Sequence, residues 1–85
     1  MNVCIVSEFT CTFDDFQAMV EQSAEKESSW FRGYELAKVN DHKSILLLDV
    51  TDVGELAAFM SSPEMKQWDK GNGCVDIVYT MEGVS

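Results

Sequence analysis

The chain holds one histidine, one proline and one arginine. Three cysteines, Cys4, Cys11 and Cys74, lack metal-type spacing, and a lone histidine cannot complete an ordinary transition-metal site. No Gly-rich phosphate motif occurs, because "GNG" at 71–73 leads into a strand rather than a helix. No serine or cysteine stands at a convincing spacing from His42 for a nucleophile–histidine relay. No metal and no cofactor is therefore expected. Basic residues are scarce too, six against fifteen acids for a net charge of −9. Without a Lys or Arg run to displace counterions, nucleic acid is excluded as a partner. An anionic membrane is disfavoured for the same reason. No stretch approaches a membrane span, and "MNVCIVSEFT" is too short and lacks the basic lead-in of a signal sequence. The expectation is a cytoplasmic protein with reduced thiols. Cys4 and Cys74 read as small buried apolar residues. Cys11 lies just before a helix start, where a thiol can be activated, but no helper residue stands near it.

What is present is ordinary globular material, 46% hydrophobic, enough for one domain across 1–85. "VCIVSEF" (3–9) is β-rich. The spacing then turns helical over 12–28, with Phe13, Phe16, Met19 and Val20 on one face and Thr12 as the cap. "WFRGYELAKV" (30–39) and "SILLLDV" (44–50), joined through "NDHK", predict a hairpin. A second helix opens at Asp52, with Val53, Leu56, Ala57 and Met60 facing inward. "CVDIVYTM" (74–81) is the last strand. The order β-α-β-β-α-β predicts an α+β ferredoxin-like sandwich, a four-stranded antiparallel sheet with two helices on one face.

The second helix carries its own interruption in "AFMSSPEMKQWDKGNG" (58–73). Pro63 suits the first position of a restarted helix, and Glu64 opposes the dipole at its start. Gly71 and Gly73 are expected to stop it in the left-handed conformation. Met65 and Trp68 share a face of the restarted piece. Trp68 is then either a lid on the end of the sheet or the wall of a ligand chamber.

"CIV", "ILLL" and "IVY" are apolar at consecutive positions, so both faces of the sheet are apolar, while helices can cover only one. A bare apolar face of that kind needs a cover, and a second copy related by a two-fold axis is the economical one. A homodimer packed sheet to sheet is expected.

"LLDVTDVGELAAFMSSPEMKQW" (47–68) places an acidic residue at a strand end, a helix running to a Ser62-Pro63 break, and a short turn bearing Met65 and Trp68. In this, and in element order along nearly the whole chain, the sequence resembles the dimeric α/β-barrel superfamily. That group includes the antibiotic-biosynthesis-type monooxygenases and several groups of unknown function. The resemblance implies a dimeric α/β barrel and a small-molecule site. It also shows departures. The position where many monooxygenase-like members carry a histidine holds Phe59, and "EMKQWDK" (64–70) stands where haem-degrading relatives place an axial histidine.

Strand parity sorts the side chains into faces. Val3, Ile5, Leu46, Leu48 and Val50, with Val75, Ile77 and Tyr79, suit the helix side. Glu8, Asp49 and Asp76 fall on the other parity, among Val6, Leu47 and Val78. In the edge strand Trp30, Arg32, Tyr34 and Leu36 join that second face in one register, and Phe31, Gly33 and Glu35 in the register slipped by one. Arg32 is either a clamp for a carboxylate or carbonyl, with Trp30 and Tyr34 as aromatic walls, or the partner of Asp49 in a structural ion pair. Asp49 or Asp76 is either a general base or a satisfied interface carboxylate. The expected ligand-binding set is Trp30, Arg32, Tyr34, Asp49 and Trp68. The leading expectation is a non-catalytic or weakly catalytic homodimer holding a small, partly aromatic ligand between sheet and helices. The resemblance implies the alternative, a cofactor-independent monooxygenase or related small-molecule enzyme using Trp68, Tyr34 and Arg32. A purely structural dimer is the third reading.

Overall fold

The structure, a computed structural model, describes residues 1–27 and 29–82. Ser28, where the expected first helix ends, and 83–85 lie outside the described residues. The elements run β1 (Val3–Glu8), α1 (Phe13–Lys26), β2 (Phe31–Asn40), β3 (Lys43–Val50), α2 (Val53–Met60), α3 (Pro63–Asn72) and β4 (Val75–Thr80). The strands form one sheet in the order β2-β3-β1-β4, every neighbouring pair antiparallel. This is the ferredoxin-like arrangement, with the second helix delivered in two pieces.

Local chemistry accounts for the helix ends. Thr12 caps α1 by accepting from the Asp15 amide at 3.3 Å, and Asp52 caps α2 by accepting from Glu55 at 3.3 Å. Ser62 repeats the device for α3, accepting from the Met65 amide at 3.3 Å while Pro63 fills the first helical turn. Only one of the two expected glycine stops acts as one. Gly71 is helical, and Gly73 takes the left-handed conformation at φ 58°. The reason lies in packing as well as φ: a Cβ at Gly73 would sit 2.8 Å from the Thr10 side chain. Thr10 in turn holds the end of α3, its Oγ1 donating to the Asn72 carbonyl at 2.8 Å.

The helices cover one face of the sheet. Val3, Ile5, Leu46, Leu48 and Val50 point into the core beneath them, where α1 contributes Phe13, Phe16 and Val20 and α2 contributes Leu56. Phe9 stacks on Phe16 with centroids 4.5 Å apart, and Phe16 meets the Trp68 indole edge-on at 6.0 Å. The inward face of α2 differs from expectation. Val53 and Ala57 are exposed, while Leu56, Phe59 and Met60 turn inward. With only eight residues in α2, its orientation follows from the contact of Phe59 with Trp30, 5.8 Å between centroids, rather than from its own periodicity.

Two strands carry the largest corrections. In β4 the register sets Asp76 opposite Ser7, Val78 opposite Ile5 and Thr80 opposite Val3. Directly opposed residues share a face, so Asp76 and Val78 belong to the helix side and Val75, Ile77 and Tyr79 to the open side. In β2 a bulge falls between Phe31 and Gly33. Tyr34 pairs with Leu48 and Leu36 with Leu46, both on the helix side, whereas Gly33 and Glu35 oppose Asp49 and Leu47 on the open side. Neither of the two uniform registers is therefore realised, because the bulge changes parity within the strand.

Candidate functional site

Between the sheet and the helices lies a cavity of about 80 Å³. Aromatic rings supply much of its wall: Phe16 from α1, Trp30 and Phe31 at the start of β2, Tyr34 further along it, and Phe59 from α2. Met19, Met60 and Met65 complete the apolar lining. Polar atoms are few and placed at its ends. Glu27 follows α1 directly, and its Oε2 accepts from the Trp30 Nε1–H at 3.0 Å. That bond fixes the indole, whose backbone carbonyl also accepts from the Thr51 amide at 2.8 Å. At the other end of β1, Ser7 donates its hydroxyl to Asp76 Oδ1 at 2.5 Å. Ser7 is fully buried, so the carboxylate is held from beneath.

Asp76 belongs to a wider cluster that the sequence did not announce. Across the turn from α3 to β4, Asp69, Cys74 and Asp76 bring their ligand-type atoms within 4.8 Å of one another. The Cys74 thiol donates to Asp76 Oδ1 at 3.4 Å. Burial, then the charges and hydrogen bonding of Asp76 and Asp69, push this thiol far above its ordinary pKa, so Cys74 stays protonated. Burial, with Asp76 second, also raises Asp69, against a lowering from its hydrogen bond with Cys74. The cluster is thus a hydrogen-bonded group beside the cavity. Its members are seven residues or fewer apart, yet a helix end and a left-handed glycine between them remove any readable spacing. On Cys11, burial and then Asp15 raise the thiol pKa, the reverse of the activation that a helix start can bring. His42 ties the hairpin to the β1–α1 connection: its Nδ1 lies 2.9 Å from the Cys11 carbonyl oxygen, so that nitrogen carries the proton.

The five residues expected to bind ligand do not meet. Trp30 and Tyr34 line the cavity, on the helix side of the sheet rather than the opposite one. Arg32 sits in the bulge and reaches Asp49 across the open face, Nε to Oδ2 3.6 Å, with the arginine side chain 74% exposed. The structural ion pair is therefore what forms, and neither residue touches the cavity. Trp68 lies behind Phe16 and borders a broad outer groove of about 720 Å³ instead. It packs against the core as a lid. Trp68→Phe is expected to lower stability by about 1 kcal/mol or less, since most of the apolar contact survives; a denaturant melt losing several times that would show a larger structural role. Asp76, placed on the far face by parity, is the cavity residue that sequence reasoning misplaced. Glu27 is the cavity carboxylate that sequence reasoning did not single out.

Among the described residues no helix is long and apolar enough to cross a membrane. No protein family and no curated protein matches the sequence. Among solved structures the chain is similar to SnoaB, a cofactor-independent oxygenase from Streptomyces nogalater, with a TM-score of 0.62 over 98% of this chain and 95% of that one. Identity is 14%, so what the two chains share is the fold, the ferredoxin-like α+β arrangement.

Proposed function

We propose that the protein is a homodimer, packed open face to open face, that binds a small, partly aromatic ligand in the cavity between sheet and helices. The observation that carries this reading is the cavity wall, apolar and rich in aromatic rings with a few fixed polar atoms at its ends, the makeup of a small-molecule site. Its volume of about 80 Å³ is roughly half the ~150 Å³ of a cavity that admits benzene. A ring enters when Met19, Met60 or Met65 swings aside, and unbranched thioethers do this at low cost.

Tryptophan emission tests the site directly. A panel of small aromatic compounds is expected to shift or quench it saturably, through Trp30 at the cavity wall. Trp30→Phe should silence the response, whereas Trp68→Phe and Arg32→Ala should preserve it. If no compound moves the wild-type emission and no small molecule co-purifies under native mass spectrometry, the cavity reading fails.

A catalytic version of the same site, a cofactor-independent oxygenase, is favoured by one observation, the fold shared with SnoaB along nearly the whole chain. This chain would contribute the apolar chamber and, in Asp76, a carboxylate held at its edge to accept a proton. Oxygen uptake with an oxidisable aromatic, lost in Asp76→Asn, would support it. Saturable binding without oxygen consumption would leave binding as the activity.

A further inference from the structure

We infer that the cavity selects by charge: it favours an aromatic or apolar ligand bearing a protonated amine, accepts a neutral one bearing a hydrogen-bond donor, and rejects an aromatic carboxylate. This rests on the reading of the cavity as the ligand site. Besides the Tyr34 phenol, the ionisable side chains that line it among the described residues are two carboxylates, Glu27 and Asp76, with no lysine, arginine or histidine. Three of the chain's bases are engaged elsewhere. Lys26, next to Glu27, turns outward to Glu64 at 3.3 Å, Lys38 reaches Asp41 at 3.1 Å, and Arg32 is on the opposite face with Asp49.

Both carboxylates are positioned rather than loose. Trp30 holds one oxygen of Glu27, and Ser7 and Cys74 hold Oδ1 of Asp76. Asp76 Oδ2 takes no hydrogen bond among the described residues. In a mostly apolar chamber the pair of acceptors has an ammonium or hydroxyl as its natural complement, and a bound carboxylate would meet like charge with no donor to offset it. The chain's net charge of −9 acts in the same direction at longer range.

Benzylamine, benzyl alcohol and benzoate share one ring and differ in charge. Titrated at neutral pH and moderate salt, with Trp30 emission and calorimetry as readouts, the amine is expected to bind tightest and benzoate weakest. The spread should be about tenfold or more, the scale of one charge-assisted hydrogen bond. Asp76→Asn should cost the amine about tenfold while leaving the alcohol nearly unchanged. Glu27→Gln, farther from the buried serine, provides a second variant if Asp76→Asn does not fold. Benzoate binding as tightly as benzylamine would overturn the inference. So would a preference that survives both variants, since the overall charge of the protein would then be its source. Alcohol binding without any charge ranking would sink the selectivity and leave the cavity reading standing, whereas silence from all three ligands would end both.

Discussion

Leu47→Asp is expected to halve the particle mass in solution or to unfold the protein. Wild type should scatter light at micromolar concentration as about twice the 9.6 kDa chain. The open face of the sheet carries this expectation. Its centre is apolar, with Val6, Ile45, Leu47 and Ile77 brought together by the β3-β1-β4 register. The outer strand leaves Val75 67%, Ile77 53% and Tyr79 51% exposed in the single chain. Ion pairs stand toward the corners of this face, Glu8–Lys43 at 3.7 Å and Arg32–Asp49 at 3.6 Å, and the exposed Glu35 opposes Leu47 from the edge strand. An apolar centre with a polar rim is the anatomy of a protein interface, and a face that binds its own copy is the common solution. A carboxylate at Leu47 would enter that centre with no cation beside it, at a cost of several kcal/mol. Val53→Asp, on the exposed start of α2 away from this face, should change neither mass nor stability. A wild-type chain that stays monomeric over the whole accessible concentration range would refute the dimer.

Phe16→Ala should be the most damaging change in the core. Phe16 is buried, stacked on Phe9 and edge-on to Trp68, and it also closes the cavity wall. Removing the ring leaves a void that the rigid sheet beneath cannot fill, and such truncations cost about 3–5 kcal/mol. A domain of this size is stable by about 5–15 kcal/mol in all, and its melting point should fall by roughly 15–30 °C. Phe16→Leu should recover most of the loss. A fall of only a few degrees in Phe16→Ala would mean that α1 is not anchored through this ring.

The elements, their order and their caps were readable because they depend on neighbours within a few residues. Thr12, Asp52 and Ser62 cap as their side chains dictate, Pro63 restarts the helix, and the core faces of β1 and β3 follow from simple alternation. The apolar character of both sheet faces was readable for the same reason. What could not be read was which side chains share a space. β4 alternates valine, isoleucine and tyrosine with Asp76, Val78 and Thr80, and hydrophobicity alone assigns the first set to the core. Pairing with β1 overrides this, because Asp76 meets the buried hydroxyl of Ser7 while Ile77 and Tyr79 remain on the open face. In β2, one extra residue at the bulge turns Tyr34 toward the helices and leaves Arg32 with Asp49. A parity argument carried through a bulge reverses everything beyond it. Local chemistry along the chain thus determined the fold and its punctuation. The acid-ended cavity, and the separation of Arg32 and Trp68 from it, were decided by strand register, a long-range hydrogen-bonding choice that no local pattern encodes.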